Sequence, residues 1–247
     1  MTASVAVASA GSYHAPERPP GLLLDIPLPG PASGLGNAAR GAGATRRSAL
    51  TDDVRGSFGG AHEGAAADTE PLILVDESDR EVGHMSKAQC HAGRGILHRA
   101  FSLLIFNEEG SLLVQQRAHT KRLWPLYWSN SCCSHPRRAE SMDGAIHRRL
   151  YEELGIRCAL QFLFKFQYQA QFGAEGAEHE LCSVFIGRHG GRVRADRNEI
   201  LAWRWVSPQA LQGEIARGSA SFTPWFLIEW ARIRRDHRAE LRALREA

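Results

Sequence analysis

The chain has 247 residues, 43% of them apolar, with a formal net charge of +3, enough apolar material for one large domain or two small ones. Its basic residues are dispersed rather than gathered into a run, which excludes the usual signature of a nucleic-acid binder, and no stretch nears the roughly 18–20 continuous apolar residues of a membrane span. Five cysteines, an odd number with Cys132 and Cys133 adjacent, lack the spacing of a secreted disulfide framework and point to a reducing, cytoplasmic compartment without a membrane partner.

Residues 1–68 are dominated by Ala, Gly, Pro and Ser, with Leu22-Leu23-Leu24 as an isolated apolar island. Such a segment cannot bury enough surface to offset its ordering entropy, so it reads as a disordered extension. It lacks the basic start and apolar core of a secretory signal. Its arginines leave an organelle transit peptide as the alternative, against which its Pro and Gly content speaks. Residues 69–247 read as the folded domain. Leu72 to Val75 is a strand, Glu77 to Arg80 its turn, and Ala100 to Phe106 a second strand. The hairpin signal Asn107-Glu108-Glu109-Gly110 then leads to a return strand from Leu112 to Gln116.

Ser141 caps a predicted helix from Met142 to Leu154, with Ile146, Leu150 and Leu154 at four-residue spacing and Gly155 closing it. Strands are expected at Cys158 to Phe172, Glu178 to Ile186 and Leu201 to Val206. Ser207-Pro208 and Thr223-Pro224 each open a helix as N-cap and first position; the second helix is apolar from Trp225 to Ile233 and then charged. Strands and helices interleaved in this irregular order predict an α+β fold, a mixed α/β/α sandwich without internal repeats.

Chemistry concentrates in Asn130-Ser131-Cys132-Cys133-Ser134-His135-Pro136 and in the helix Arg148-Arg149-Leu150-Tyr151-Glu152-Glu153-Leu154. Ser134 to Ile156 resembles a Nudix box, the loop-helix-loop that holds divalent cations against a diphosphate. Ser134 stands in place of its first glycine, and Arg149 in place of the first helix glutamate. Those glutamates serve metal-assisted hydrolysis, so the departures weaken the alternative of a Nudix hydrolase acting on a diphosphate. The same departures, with the Asn130–Pro136 signature, Tyr168 followed by Glu178-His179-Glu180-Leu181-Cys182, and the pair His91 and His98, are similar to the type I isopentenyl-diphosphate delta-isomerases. The resemblance runs from about Leu72 to Trp230. A silent binding domain is the rival from another class, although it has no physical need to keep this set together.

The resemblance implies an isomerase that interconverts isopentenyl and dimethylallyl diphosphate in isoprenoid biosynthesis. Moving a double bond requires an acid and a base placed about a dry pocket. By the resemblance these are Cys133 and Glu180, with Tyr168 supporting proton delivery. His91, His98, His135, Glu178 and Glu180 are the metal ligands it implies. This mixed nitrogen and oxygen set suits zinc, manganese or magnesium, and strand alternation points Glu178 and Glu180 to one face with His179 away. His84, His119, His147 and His189 read as surface or satisfied core residues. A second cation, magnesium, would arrive with the small-molecule diphosphate on Glu153, with Lys87, Arg117, Lys121 and Arg149 binding the phosphates. Trp225 matches an aromatic position beside the reacting carbons, where its ring face would stabilise positive charge; the remaining tryptophans, Trp124, Trp128, Trp203, Trp205 and Trp230, read as packing. No feature of the sequence sets an oligomeric state.

Overall fold

The computed structural model describes residues 69–246; the expectation of a disordered extension over residues 1–68 lies outside them. The described chain runs β1 (Pro71–Val75), β2 (Glu81–Ser86), α1 (Lys87–Cys90), β3 (His98–Phe106), β4 (Leu112–Arg117), β5 (Trp128–Ser129) and β6 (Cys132–Ser134). It continues through α2 (Met142–Leu154), β7 (Leu160–Phe172), β8 (Gly176–Arg188), β9 (Ile200–Val206), α3 (Pro208–Gly218), α4 (Pro224–Asp236) and α5 (Arg238–Glu246). Every predicted strand and helix is present, with its boundaries moved by no more than a few residues.

The strands form a nine-stranded mixed sheet. β3 is its hub: β8 runs parallel along its whole length, while β1, β4 and β6 pair with it antiparallel. Side-chain alternation divides the core in two. Ala100, Leu104, Val114, Cys182 and Val184 project toward α3 and α4, where Leu211, Trp225, Phe226 and Trp230 cover them. Phe101, Leu103, Ile105, Leu113 and Cys132 project the other way, beneath Ala145, Ile146, Leu150 and Leu154 of α2. This is the expected α/β/α sandwich.

The helix caps follow their sequence signals. Ser141 Oγ accepts from Gly144 N at 3.0 Å, Gly155 ends α2 at φ 65°, and Ser207 Oγ accepts from Ala210 N at 3.2 Å. Thr223 differs: it is the N-cap of α4, followed by Pro224, yet its side chain makes no capping bond. Its hydroxyl lies 2.9 Å from Ser129 Oγ instead.

Candidate active site

The five side chains that could hold a metal ion arrive from four places. His98 opens β3, and its register partner on β8 is Glu180, with Glu178 two residues earlier on the same face. His135 follows β6, and His91 ends α1. Gly176 (φ 143°) lets the start of β8 press onto the His91 carbonyl, which a Cβ would meet at 2.1 Å, and Ala177 N donates to that carbonyl at 3.0 Å. The close approach sets His91 against Glu178.

His98 Nε2 lies 3.3 Å from His91 Nε2 and 3.2 Å from His135 Nε2. His91 Nε2 is 3.0 Å from Glu178 Oε2, and His135 Nε2 is 3.1 Å from Glu180 Oε1. His98 Nδ1 donates to the Ile96 carbonyl at 2.7 Å, so Nε2 is the atom it presents to the cluster. The ligand atoms of all five buried residues lie within 4.8 Å of one another, and Glu178 Oε2 has no hydrogen-bond partner despite its burial. Three imidazole nitrogens and two carboxylates converging on one point are a donor set that fits a divalent ion.

Burial works against charging His98, but Glu180 outweighs it and holds the imidazole above its ordinary value. Burial pushes His135 down to about 4 despite the same carboxylate, so the pair accommodates one positive charge more readily than two. Burial also works to raise Glu180, yet the hydrogen bonds from His135 and His98 hold its carboxyl well below the usual range. Its two oxygens divide the work: Oε1 faces the histidines, while Oε2 accepts from the Tyr168 hydroxyl at 2.8 Å. Burial, with the Glu180 charge, keeps the Tyr168 phenol well above its ordinary value, so it donates at neutral pH.

Cys133 flanks β3 on the side opposite Glu180, since β6 and β8 pair with β3 along its two edges. Burial pushes its thiol up to about 12. Trp225 Nε1 donates to Cys133 Sγ at 3.2 Å, and the Trp225 ring lies 6.1 Å from that of Tyr168. Trp225 and Tyr168 therefore form a continuous wall between the sulfur and the carboxylate. Trp225 presents its N–H edge to the cysteine, and its ring face carries the Arg117 guanidinium at 5.4 Å.

The predicted phosphate-binding cations also converge. Lys87 starts α1 behind a Ser86–Gln89 capping box. The Arg117 guanidinium donates to the Leu123 and Trp124 carbonyls (2.8 and 3.0 Å), fixing a loop that holds Trp124 and Leu126 at positive φ and carries Lys121. Burial, with the positive charges of Lys87 and Arg117 close by, lowers Lys121 to about 7, the mark of crowded cations that an anion would relieve. Arg149 Nη2 bridges Glu153 Oε1 (2.5 Å) and Glu199 Oε1 (3.1 Å), and Lys121 pairs with the other Glu199 oxygen. Glu199 is absent from the sequence-based set, because a single carboxylate ahead of a strand carries no spacing signal. Trp203 corrects its packing assignment: it is 37% exposed, whereas Trp124 and Trp230 are core residues. His84 and His147 pair locally with Glu81 and Asp143, and neither they nor His119 and His189 belong to the metal cluster.

A mixed sheet between two helical layers, with a box-like helix placing Arg149 and Glu153 at its edge, defines the Nudix class, and the NUDIX domain family matches residues 96–226. The fold is shared with a crystal structure of a protein from Deinococcus radiodurans, with a TM-score of 0.55 and 22% identity over 68% of this chain and all of that one. "Isopentenyl-diphosphate Delta-isomerase 1" of Photorhabdus laumondii is 42% identical over 170 residues, 68% of this chain and 97% of its own length. "Isopentenyl-diphosphate Delta-isomerase" of Serratia proteamaculans is 43% identical over 158 residues, 64% of this chain and 88% of its own length. The chain belongs to the isopentenyl-diphosphate Delta-isomerase family of Nudix-domain proteins.

Proposed function

We propose that this chain interconverts isopentenyl and dimethylallyl diphosphate, with Cys133 placing a proton on the terminal alkene carbon and Glu180 removing one from the far side. The observation that carries this assignment is the chain of contacts from Glu180 through Tyr168 and Trp225 to Cys133. It lines an apolar face of the sheet with one protonated thiol and one ionised carboxylate, the pair an allylic proton shift needs.

Arg117, Lys121, Arg149 and Lys87 bind the diphosphate by charge-assisted contacts, which leaves the hydrocarbon end for the apolar wall. Tyr168 holds Glu180 Oε2 in place and is close enough to pass it a proton. His91, His98, His135, Glu178 and Glu180 would hold a zinc, manganese or magnesium ion, which would supply positive charge that keeps the Glu180 carboxylate ionised, and Glu153 would receive a magnesium carried by the substrate, which would screen its phosphates. Glu153 is held by Arg149, as is Glu199, an arrangement that favours binding a diphosphate over cleaving it. The isomerase domain spans residues 69–247, and its product enters isoprenoid biosynthesis. All five cysteines are free, in keeping with a cytoplasmic site of action. Among the described residues no helix is long and apolar enough to cross a membrane.

Incubation with isopentenyl diphosphate and magnesium in deuterated water tests the assignment. Dimethylallyl product carrying deuterium supports it. Released phosphate instead would establish a hydrolase, and binding without either would establish a silent domain.

A further inference from the structure

Beneath the acid–base pair lies a buried polar network that neither the acid, the base nor the metal requires. Ser129, Asn130 and Thr223 have no exposed surface. Asn130 Nδ2 donates to the Leu103 carbonyl at 3.3 Å and the Cys132 carbonyl at 2.8 Å. Both partners are acceptors only, so the amide cannot be turned over and Oδ1 must face the other way. Three donors meet it there: Ser129 Oγ at 2.9 Å, Cys133 Sγ at 3.2 Å and Trp225 Nε1 at 3.2 Å.

An amide oxygen has two lone pairs, so three donors contend for two places. Two of the three have somewhere else to go. Trp225 Nε1 is equally 3.2 Å from Cys133 Sγ, and Ser129 Oγ lies 2.9 Å from Thr223 Oγ1 and 3.9 Å from the same sulfur. Thr223 gives up its own capping bond at the start of α4 to hold Ser129.

We infer that Asn130 is a positioning residue for the reaction, whose oxygen holds the Trp225 and Ser129 donors beside the Cys133 sulfur and yields them to it as the thiol proton leaves for the alkene. The inference rests on the reading of Cys133 as the proton donor. In that step the S–H bond breaks and its electron pair stays on sulfur, the alkene π pair forms the new C–H bond at the terminal carbon, and the positive charge left on the tertiary carbon is discharged when Glu180 takes a proton from the neighbouring methylene, whose C–H pair becomes the new double bond. The Trp225 N–H and Ser129 O–H re-aim from Oδ1 to Sγ without giving up their protons. Thr223 keeps Ser129 within reach of both acceptors.

Steady-state kinetics and thermal melts on Asn130→Ala, Ser129→Ala and Thr223→Val test this. Asn130→Ala is expected to lower kcat by about tenfold or more, because the Trp225 and Ser129 donors are no longer held beside the sulfur, while KM changes by less than about twofold, because the phosphate contacts lie elsewhere. Ser129→Ala and Thr223→Val are expected to lower kcat several-fold with KM and melting temperature near wild type. Thr223→Ser, which keeps the hydroxyl, should recover most of that loss. If Asn130→Ala fails to fold, the Ser129 and Thr223 variants decide the matter. Wild-type kcat in folded Ser129→Ala and Thr223→Val proteins overturns the inference alone, as does a loss confined to KM. Absence of turnover in the wild-type protein removes the isomerase reading and the inference together.

Discussion

Cys132 and Cys133 are neighbours in sequence but project from opposite faces of the sheet. The β3–β6 register pairs Leu103 with Cys132 and Ser102 with Cys133. Leu103 and Cys132 belong to the core under α2, whereas Cys133 packs with the residues facing α4. Strand alternation alone therefore assigns the two thiols to different environments.

Cys133→Ala should abolish isomerisation, because it removes the thiol proposed to deliver the proton. Cys132→Ala should leave kcat within a few-fold of wild type and cost roughly 1 kcal/mol of stability, as expected for removing a small apolar group from a packed core. Activity assays and melts on both variants decide it. Equal catalytic defects would show that the register does not determine which cysteine reacts.

The candidate site was legible chiefly through the resemblance of its motifs to a known family; strand spacing adds only that Glu178 and Glu180 share a face. What spacing cannot supply is a long-range partner. Glu199 joins the cation cluster only through tertiary contact with Lys121 and Arg149, and Asn130 owes its importance to Trp225, 95 residues away in sequence. Strand β2 escaped notice because its burial pattern has no alternation. The break between α4 and α5 at His237 has no Pro or Gly to announce it; His237 instead stacks on Phe164 with ring centroids 5.1 Å apart.

The five-ligand cluster should bind one divalent ion per folded chain, and binding to the folded state alone raises stability by about 2.7 kcal/mol when the free ion exceeds its dissociation constant a hundredfold. Chelated protein should melt lower and recover as zinc, manganese or magnesium is returned. His98→Ala, which removes the central nitrogen, should lose the metal-dependent shift. Metal analysis with melts across a concentration series checks this, and identical melts with and without metal would count against the cluster as a binding site.

Glu229 gives a pH prediction that does not depend on turnover. It is buried in the apolar stretch of α4, its Oε2 has no hydrogen-bond partner and its Oε1 is 4.0 Å from Cys182 Sγ. Burial pushes its carboxyl up from 4.5 to about 8, with the Ser102 hydroxyl pulling the other way and Glu180 adding to the rise. The folded chain thus retains a proton that the unfolded chain has released between those values. Stability contributed by this proton is full below about 4.5 and is lost as pH rises through about 8. Glu229→Gln should therefore gain in melting temperature over wild type as pH increases across that window, with little difference at its acid end. A pH-independent difference between the two melts would contradict the assignment of a buried neutral acid.

Arg149 is where the isomerase and hydrolase readings diverge most, and its contacts change what its loss should do. As a diphosphate ligand, its replacement by Ala removes a charge-assisted contact worth about 1.5–3 kcal/mol, or about one to two decades in kcat/KM. The structure adds a stability cost, because Arg149 is the shared counter-ion of Glu153, which is 3% exposed, and of Glu199. Leaving a buried carboxylate without its partner costs roughly 3 kcal/mol, so Arg149→Ala should melt lower as well as turn over more slowly. Arg149→Lys restores one charge but not the fork that spans both glutamates, and should recover stability more fully than activity. Arg149→Glu should be the worst of the three, since it sets a third carboxylate beside Glu153, Glu199 and the incoming diphosphate. Added magnesium should offset part of that defect by supplying the missing positive charge. Steady-state kinetics and melts on the three variants, with and without excess magnesium, check the order. A folded Arg149→Glu protein with wild-type kinetics would remove this residue from the substrate site, and phosphate release by it would show that the acid restored a hydrolase.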